Sequence, residues 1–327
     1  MPEYLFVRIL EACNAGCEMC GFAFSKDPYR FSPADLDALL SRAKQDGIRF
    51  VRFTGGEPLA HPDIVELVAV ASHHGLRTSI ITNGLLLCKL LDALGSAGLE
   101  EVVVSIDSAT PELHDQIRRR PGLFERAVEG LRRARSHGLR RRVNTVCGPS
   151  NFRDMPRLQV LLTSLEIDAW ELSSLKLEGP LDYREEDLEE LDRVVEYVYR
   201  QGHQAGRLVP MGKVWCGETP EERERYLKTG VPPRPDRRCH VVNRIRYLDA
   251  RNGLLFPCSL LPHRPNAIAF GEPLASQVHL HCRSHRMQEI VQRLYVAGPQ
   301  ICTGCSSTAA GFSNTIDLGH DIPDWAY

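Results

Sequence analysis

Short β-like runs alternate with amphipathic helical stretches from Tyr4 to about Tyr199, and this alternation limits the possible folds of the 327-residue chain. Several runs are nearly continuous in valine, isoleucine and leucine, as expected of strands buried on both faces. Helix starts between the runs are marked by Ser32-Pro33, Pro62-Asp63 and Thr110-Pro111. The predicted strands are Leu5–Leu10, Phe50–Thr54, Thr78–Thr82, Val102–Ile106, Val143–Cys147 and Trp170–Leu177.

Six β/α units predict an α/β fold with a parallel sheet. Right-handed crossovers allow this sheet to be either flat and doubly wound or curved into a partial barrel. In both architectures, active-site residues collect where the strands end and the following loops begin. We therefore expect motif residues that follow successive strands to lie in one site.

Three cysteines with the spacing Cys13-x3-Cys17-x2-Cys20 follow the first predicted strand. Three thiolates are one fewer than the four that close a structural zinc site or fully ligate a [4Fe–4S] cluster. A cluster held by three thiolates leaves one iron open to another ligand. The spacing alone leaves two hypotheses: half of a zinc site that is completed from elsewhere in the chain, or an iron–sulfur cluster.

Composition excludes several classes of function. The formal net charge is −2, so nothing favours a nucleic-acid surface or a membrane patch. No run of about 18 apolar residues occurs, and the first residues do not form a signal peptide. These features predict a cytoplasmic protein, in which 11 cysteines serve as metal or redox ligands more often than as disulfides.

The cysteine triplet after the first strand, combined with Gly55-Gly56-Glu57 after the second, resembles the radical S-adenosylmethionine (radical SAM) superfamily. The resemblance implies a partial (β/α)6 barrel in which S-adenosylmethionine chelates the open iron of a [4Fe–4S] cluster. An electron from the cluster would then cleave this cofactor to methionine and a 5′-deoxyadenosyl radical. In this comparison Gly55 and Gly56 let the backbone approach closely, and Glu57 accepts a hydrogen bond from the cofactor's ammonium group.

Further positions match the same family. Ser105 and Asp107, at the end of the fourth strand, match a polar pair that holds the cofactor's ribose. Asn83, after the third strand, is expected in the same cofactor site. Arg118 matches an arginine that commonly pairs with the methionyl carboxylate. One position departs from the family: Met19 precedes the third cysteine, where an aromatic residue is usual.

A second set of cysteines lies near the C-terminus, at Cys239, Cys258 and Cys302-x2-Cys305. Four thiolates from one small module fit zinc as well as an iron–sulfur cluster. The pattern resembles the "twitch" auxiliary-cluster subdomain of the superfamily, which implies a second [4Fe–4S] cluster with a role in electron transfer. The expected domains are a barrel over residues 1–202, a linker over 203–238 and a twitch subdomain over 239–327.

Other residues are candidates for contact with a substrate. Cys147, at the end of the fifth strand, and Cys216 and Cys282, further along the chain, are candidate hydrogen-atom donors to a substrate radical. Glu11 and Glu178, at strand ends, are candidate carboxylates for a cationic substrate.

The module size and cysteine spacing resemble the twitch enzymes of aminoglycoside and aminocyclitol antibiotic biosynthesis. This implies a small polyhydroxylated, amine-bearing substrate and an external reductant such as flavodoxin or ferredoxin. We expect oxidation of an alcohol to a ketone, with the auxiliary cluster as electron acceptor, and epimerisation by a thiol donor is the alternative.

Two other functions are less favoured. A peptide-modifying maturase is a second alternative, although the 12 residues before Cys13 leave no room for an N-terminal peptide-binding domain. A non-enzymatic iron–sulfur carrier would not need Gly55-Gly56-Glu57, Ser105 or Asp107.

Overall fold

Parallel strands in chain order form the centre of the protein. The computed structural model describes residues 2–41, 43–176, 180–211, 214, 217, 219–230, 241–259, 261–263, 271–274 and 284–301. The strands in these ranges are β1 (Tyr4–Leu10), β2 (Phe50–Gly55), β3 (Arg77–Thr82), β4 (Glu101–Ser105), β5 (Arg140–Cys147), β6 (Ala169–Ser174), β7 (Pro210–Met211), β8 (Ile245–Asp249), β9 (Leu254–Phe256) and β10 (Glu272–Pro273).

All of these strands belong to one sheet, with the order β10-β9-β8-β1-β2-β3-β4-β5-β6-β7. Each neighbouring pair from β1 to β7 is parallel. β8 is also parallel to β1, whereas β9 and β10 continue the sheet in antiparallel fashion. The described sheet is not closed, and the predicted α/β fold with a partial, TIM-like barrel is confirmed.

Most of the described helices pack on the outer face of the sheet, whereas Val241 of the ninth helix and Ile290 of the tenth pack with Tyr4, Phe6 and Phe50 on the inner face. The helices are α1 (Pro33–Leu40), α2 (Ile64–His73), α3 (Leu87–Ser96), α4 (Pro111–Arg118), α5 (Leu123–Ser136), α6 (Met155–Ser164), α7 (Glu185–Ala205), α8 (Pro220–Thr229), α9 (Val241–Arg244) and α10 (His285–Ile301).

The helix starts predicted from serine, threonine and proline are present. Ser32 caps α1, where its hydroxyl accepts from the backbone N–H of Asp35 at 3.1 Å, and proline occupies the first turn of α1 and α4. Every helix among the described residues is too short or too polar to span a bilayer.

The two faces of the sheet differ in chemistry. Side chains that point outward are apolar and pack in one large core with the helices; Val7, Val51 and Val102 are examples. Since side chains alternate along a strand, the intervening residues point inward. Several of these inward residues carry charge and are buried, including Arg52 and Glu101.

The segment after α7, which is expected to be a linker, contains a short strand. Residues 210–211 of this segment form β7, which pairs with β6 in parallel. Further along the chain, β8 and β9 form an antiparallel hairpin. Its first strand pairs with β1 through Tyr4 and Ile245, so the hairpin extends the barrel sheet.

Candidate functional site

Residues 11–32, between β1 and α1, carry Cys13, Cys17 and Cys20 and are called the cysteine loop below. Two glycines bring the loop after β2 into contact with the beginning of this cysteine loop. The backbone N–H groups of Gly56 and Glu57 donate to the carbonyl oxygens of Leu10 at 3.0 Å and Ala12 at 2.8 Å. A Cβ on Gly56 would lie 2.1 Å from the oxygen of Ala12, and one on Gly55, where φ is +143°, would lie 2.3 Å from that of Leu10. Only glycine fits at such an approach. Gly55 and Gly56 therefore allow the backbone after β2 to lie directly against the backbone at the start of the cysteine loop.

Glu57 connects this loop to the end of β3. Its Oε1 accepts from the backbone N–H of Leu59 at 3.0 Å and from the hydroxyl of Thr82 at 2.6 Å, and its Oε2 accepts from the N–H of Asn83 at 2.8 Å. Burial raises the pKa of Glu57, and these hydrogen bonds oppose the shift. Asn83 in turn donates from Nδ2 to Oδ1 of Asn14 in the cysteine loop, at 2.7 Å.

An aspartate and an arginine form a second connection to the cysteine loop. Oδ2 of Asp107 accepts from Nε of Arg118 at 2.7 Å, and its Oδ1 accepts from the backbone N–H of Val146 at 3.0 Å. Nη1 of Arg118 lies 3.6 Å from Sγ of Cys17. Burial works to lower the pKa of Arg118, but Asp107 and Cys17 together raise it above its usual value. Arg118 therefore places a permanent positive charge beside the Cys17 sulfur.

The cysteine loop is also held by backbone hydrogen bonds. The N–H of Gly16 donates to the carbonyl oxygen of Arg118, at the end of α4, at 3.0 Å, and the N–H of Cys13 donates to that of Ser25 at 3.0 Å. Burial raises the pKa of the Cys13 thiol to about 11 and also raises the pKa of Cys20. Ligation to a metal requires the thiolate, so a cation must offset this cost.

A cavity of about 280 Å³ lies at the carboxyl ends of the parallel strands, where active sites of such sheets form. It brings together most of the site residues predicted from the sequence: Cys13, Cys17, Cys20, Gly55, Gly56, Glu57, Asn83, Ser105 and Arg118.

The cavity lining that was not predicted from the sequence includes four residues on β5 and β6. They are Asn144 and Val146 on β5 and Glu171 and Ser173 on β6. They occupy alternate positions at the ends of their strands, which is the pattern expected for one face of a sheet. This alternation, applied to the polar residues at the end of each strand, would have identified Asn144, Glu171 and Ser173.

Comparison with known proteins identifies the domain that carries this cavity. Residues 7–161 match the sequence model of the radical SAM superfamily. This segment is a radical SAM domain.

Individual relatives agree with that assignment. The chain is 28% identical over 202 residues to an AdoMet-dependent heme synthase of Methanosarcina barkeri, an alignment that covers 61% of this chain and 58% of the relative. It is 31% identical over 205 residues to the PqqA peptide cyclase of Gluconobacter oxydans, with 60% and 57% covered. The chain thus spans little more than half the length of these curated relatives.

The fold is similar to that of a solved structure, Streptococcus suis SuiB bound to S-adenosylmethionine. The TM-score is 0.63 at 18% sequence identity, and the match covers 90% of this chain and 66% of SuiB. At this identity, the similarity concerns the fold alone.

The cysteine triplet of the radical SAM domain suits an iron–sulfur cluster. Within the described residues, no three His, Cys, Asp or Glu side chains converge closely enough to hold one metal ion. In a [4Fe–4S] cluster each thiolate binds a different iron, so the three sulfurs need not converge on one point. Cys13, Cys17 and Cys20 line the same cavity, beside the loop in which Gly55 and Gly56 leave no room for a side chain.

Four predicted site residues within the described ranges lie outside the cavity lining: Glu11, Asp107, Cys147 and Cys258. Asp107 is fully buried and acts on Arg118, so its observed role is to position that arginine. Cys147 is fully buried in the apolar core, on the opposite face of β5 from Asn144. The structure therefore does not place Cys147 where it could donate a hydrogen atom to a substrate in this cavity.

Glu11 is likewise not brought to the cavity. Its Oε1 accepts from Nη2 of Arg8 at 2.5 Å, and its Oε2 lies 3.1 Å from Nη1 of Arg251. Both carboxylate oxygens are thus engaged by arginines, so the structure gives Glu11 the role of an ion-pair partner in place of the expected substrate contact.

The remaining predicted residues belong mainly to parts of the chain that are not described. Cys258, after β9, is half-buried and packs against a small apolar cluster under the hairpin. The residues outside the described ranges are Glu178, Cys216, Cys239, Cys282, Cys302 and Cys305.

Proposed function

We propose that this chain is a radical SAM enzyme that oxidises an alcohol of a small polyhydroxylated, amine-bearing substrate to a ketone. The observation that carries the proposal is the cavity at the strand ends, which joins the three cysteines to the glycine loop, Ser105 and Arg118. When bound, a reduced [4Fe–4S] cluster and S-adenosylmethionine supply a 5′-deoxyadenosyl radical to this cavity.

The residues of the chain have separate tasks in this proposal. Cys13, Cys17 and Cys20 would hold the cluster, and the Arg118 guanidinium would offset the negative charge of the thiolates. Ser105 lines the cavity at the end of β4 and would hydrogen-bond the ribose of the cofactor. Glu57 keeps the glycine loop and the end of β3 in fixed relation through its three hydrogen bonds.

Oxidation requires the loss of a hydrogen atom from the carbinol carbon, of the hydroxyl proton and of one electron. We propose that a second [4Fe–4S] cluster, bound by Cys239, Cys258, Cys302 and Cys305, accepts that electron. The sequence spacing supports this assignment, and Cys258 follows a hairpin that is hydrogen-bonded to β1. An external reductant such as flavodoxin or ferredoxin would supply the electron to the first cluster.

Epimerisation needs a thiol that donates a hydrogen atom, and the position of Cys147 removes one of its three candidates. Among the described residues, the cysteines that line the cavity are those of the triplet. We prefer oxidation because it needs no hydrogen-atom donor beyond the residues already assigned. Modification of a peptide is the second candidate function, and the identity of 31% to PqqA peptide cyclase favours it.

Anaerobic reconstitution tests the first part of the proposal. The full chain, loaded with iron and sulfide and reduced with dithionite, is expected to convert S-adenosylmethionine to 5′-deoxyadenosine. Cys20→Ala should lose this activity, and Cys88→Ala on α3, outside the cavity, should retain it. Absence of 5′-deoxyadenosine with the wild-type protein would refute a radical SAM function.

Mass analysis tests the reaction itself. The enzyme is incubated in deuterated water with a panel of aminocyclitols and aminoglycosides. A product lighter by two hydrogen atoms supports oxidation, whereas retention of solvent deuterium at one carbon supports epimerisation. If only peptides from the genomic neighbourhood of the enzyme change in mass, the peptide alternative replaces the proposal.

A further inference from the structure

The wall of the cavity formed by β5 and β6 carries hydrogen-bond acceptors that the described residues leave unused. We propose that Glu171 and Asn144 form a substrate subsite that accepts hydrogen bonds from hydroxyl or ammonium groups. This subsite, called the acceptor subsite below, rests on the proposed function and specifies which side chains recognise the substrate.

Strand register places the acceptor subsite beside the position expected for the ribose. Ser105 pairs with Asn144 across β4 and β5, and Asn144 pairs with Glu171 across β5 and β6. The three side chains therefore stand in one row on the inner face, and all three line the cavity. Four strands separate β6 from β1, which precedes the cysteine loop. Glu171 is thus far along the sheet from the cluster ligands, on the side left for a substrate.

Glu171 belongs to a set of charged side chains on the inner face of the sheet. Arg52 donates to Glu101 at 2.6 Å, and Nε of Arg142 lies 3.3 Å from the other oxygen of Glu101. Nη1 of Arg142 lies 3.9 Å from Oε2 of Glu171. These two arginines and two glutamates sum to zero charge. Arg140 also pairs with Glu101, but a third of its side chain is exposed, so solvent screens its charge.

Little within the described residues occupies the acceptors of Glu171. Its contact with Arg142 is an ion pair at 3.9 Å, longer than a hydrogen bond. Its side chain is 23% exposed, and the exposed part faces the cavity. A carboxylate has about four acceptor positions, so Glu171 can accept hydrogen bonds from a bound molecule.

Asn144 adds a second, independent observation. Its Oδ1 is buried and has no hydrogen-bond partner among the described residues. Buried polar atoms are nearly always paired, and an exception calls for a missing ligand or water. Ser173, the neighbour of this subsite on β6, donates its hydroxyl to the carbonyl oxygen of Thr145 at 3.4 Å, which leaves its lone pairs as acceptors too.

An excess of acceptors determines which chemistry fits. A molecule that faces this wall must present O–H or N–H donors, such as neighbouring hydroxyls or an ammonium group. Carboxylate or phosphate groups would meet like charge at Glu171. Hydrogen bonds to an ionised acceptor are roughly twice as strong as neutral ones, so Glu171 is expected to contribute most of the recognition.

A binding experiment without turnover tests the acceptor subsite. The reconstituted full chain is saturated with S-adenosylmethionine without reductant and titrated by calorimetry with scyllo-inositol and with scyllo-inosamine. Glu171→Gln is expected to weaken binding at least tenfold, and Asn144→Leu is expected to weaken it without any change of charge. Glu189→Gln is the matched control, because Glu189 lies on α7 with its side chain 77% exposed.

The two probes separate the possible donors. Equal weakening of both probes by Glu171→Gln assigns the subsite to hydroxyl groups, and greater weakening of the amine assigns it to an ammonium group; each result supports the inference. Binding of both probes by Glu171→Gln within twofold of wild type overturns it. Failure of the wild type to bind either probe also overturns it, and the formation of 5′-deoxyadenosine then decides separately whether the radical SAM function stands.

Discussion

The buried carboxylate of Glu101 is expected to be worth several kilocalories per mole to the stability of the barrel. Glu101 is fully buried and accepts from Nη2 of Arg52 at 2.6 Å, from the hydroxyl of Ser79 at 2.9 Å and from Nε of Arg142 at 3.3 Å. The side chains of the two arginines are 4% and 0% exposed. Burial lowers the pKa of Arg52 even though Glu101 acts in the opposite direction.

Glu101→Gln removes the negative charge that these two buried guanidinium groups share. Breaking a buried ion pair by loss of one partner costs about 3–5 kcal/mol, and we expect the lower end because glutamine keeps one acceptor oxygen. With a urea m-value of about 3 kcal/mol/M, the unfolding midpoint should fall by about 1 M.

Urea unfolding followed by far-UV circular dichroism measures this change. The matched control is Glu100→Gln, because Glu100 is the preceding residue, its side chain is 42% exposed and it pairs with Arg77 at 2.9 Å. An exposed pair of this kind is worth less than about 1 kcal/mol. Equal midpoints for the two variants would refute the claim that the inner charges are a balanced, desolvated set.

Three further predictions concern the cofactor site and its support. Gly56→Ala should greatly reduce iron incorporation, because the new Cβ would lie 2.1 Å from the backbone oxygen of Ala12. Gly21→Ala is the control and should incorporate iron normally, because a Cβ at Gly21 would have no atom within 4 Å. Equal iron content in the two variants would contradict the prediction. Asp107→Asn should weaken the binding of S-adenosylmethionine about tenfold, because Arg118 loses its charged partner. Equilibrium dialysis measures this affinity, with Asp92→Asn as the control because the Asp92 side chain is 86% exposed. Equal affinities of the two variants would refute the prediction. Burial lowers the pKa of His114 from 6.5 to about 4. Between these pH values the unfolded chain binds a proton that the folded chain does not. The free energy of unfolding should therefore decrease by up to about 3 kcal/mol as the pH falls through this range. His114→Asn should flatten that part of the stability profile, and an unchanged slope would contradict the assignment.

The strands could be predicted from the sequence because their signal is local. Runs of β-branched and apolar residues marked all six strands from β1 to β6. The largest boundary errors are three residues, at the start of β5, which begins at Arg140 in place of the predicted Val143, and at the end of β6, which ends at Ser174 in place of the predicted Leu177. Strand ends in turn gave the positions of Cys13 and Glu57, because in a parallel sheet they meet at one edge.

Residue orientation and long-range pairing were harder to predict. Alternation along β5 places Asn144 and Val146 in the cavity and turns Cys147 to the core, which a strand-end rule alone does not reveal. β4 ends at Ser105, so alternation no longer applies at Asp107. The segment 203–238 was interpreted as a linker from its prolines, yet Pro210 begins β7 at the edge of the sheet, a position that proline tolerates.

The ion pairs around Glu11 connect the cysteine loop to residues near the end of β8. Arg8 pairs with Glu11 and also, at 3.0 Å, with Asp249 at the end of β8. Nη1 of Arg251 lies 3.1 Å from Glu11 and 2.7 Å from Oδ2 of Asp27, which is in the cysteine loop. β1 lies between β2 and β8 in the sheet, so the loop that follows it is held by the glycine contact on one side and by these charges on the other.

Cluster chemistry depends on ligands that keep their positions when the charge of the cluster changes, and polar contacts around a metal site commonly provide that rigidity. The residues that fix the cysteine loop are therefore part of the functional site even where they do not line the cavity. A change at Glu11 should act through the geometry of the cysteines, and a change at Glu171 through the substrate.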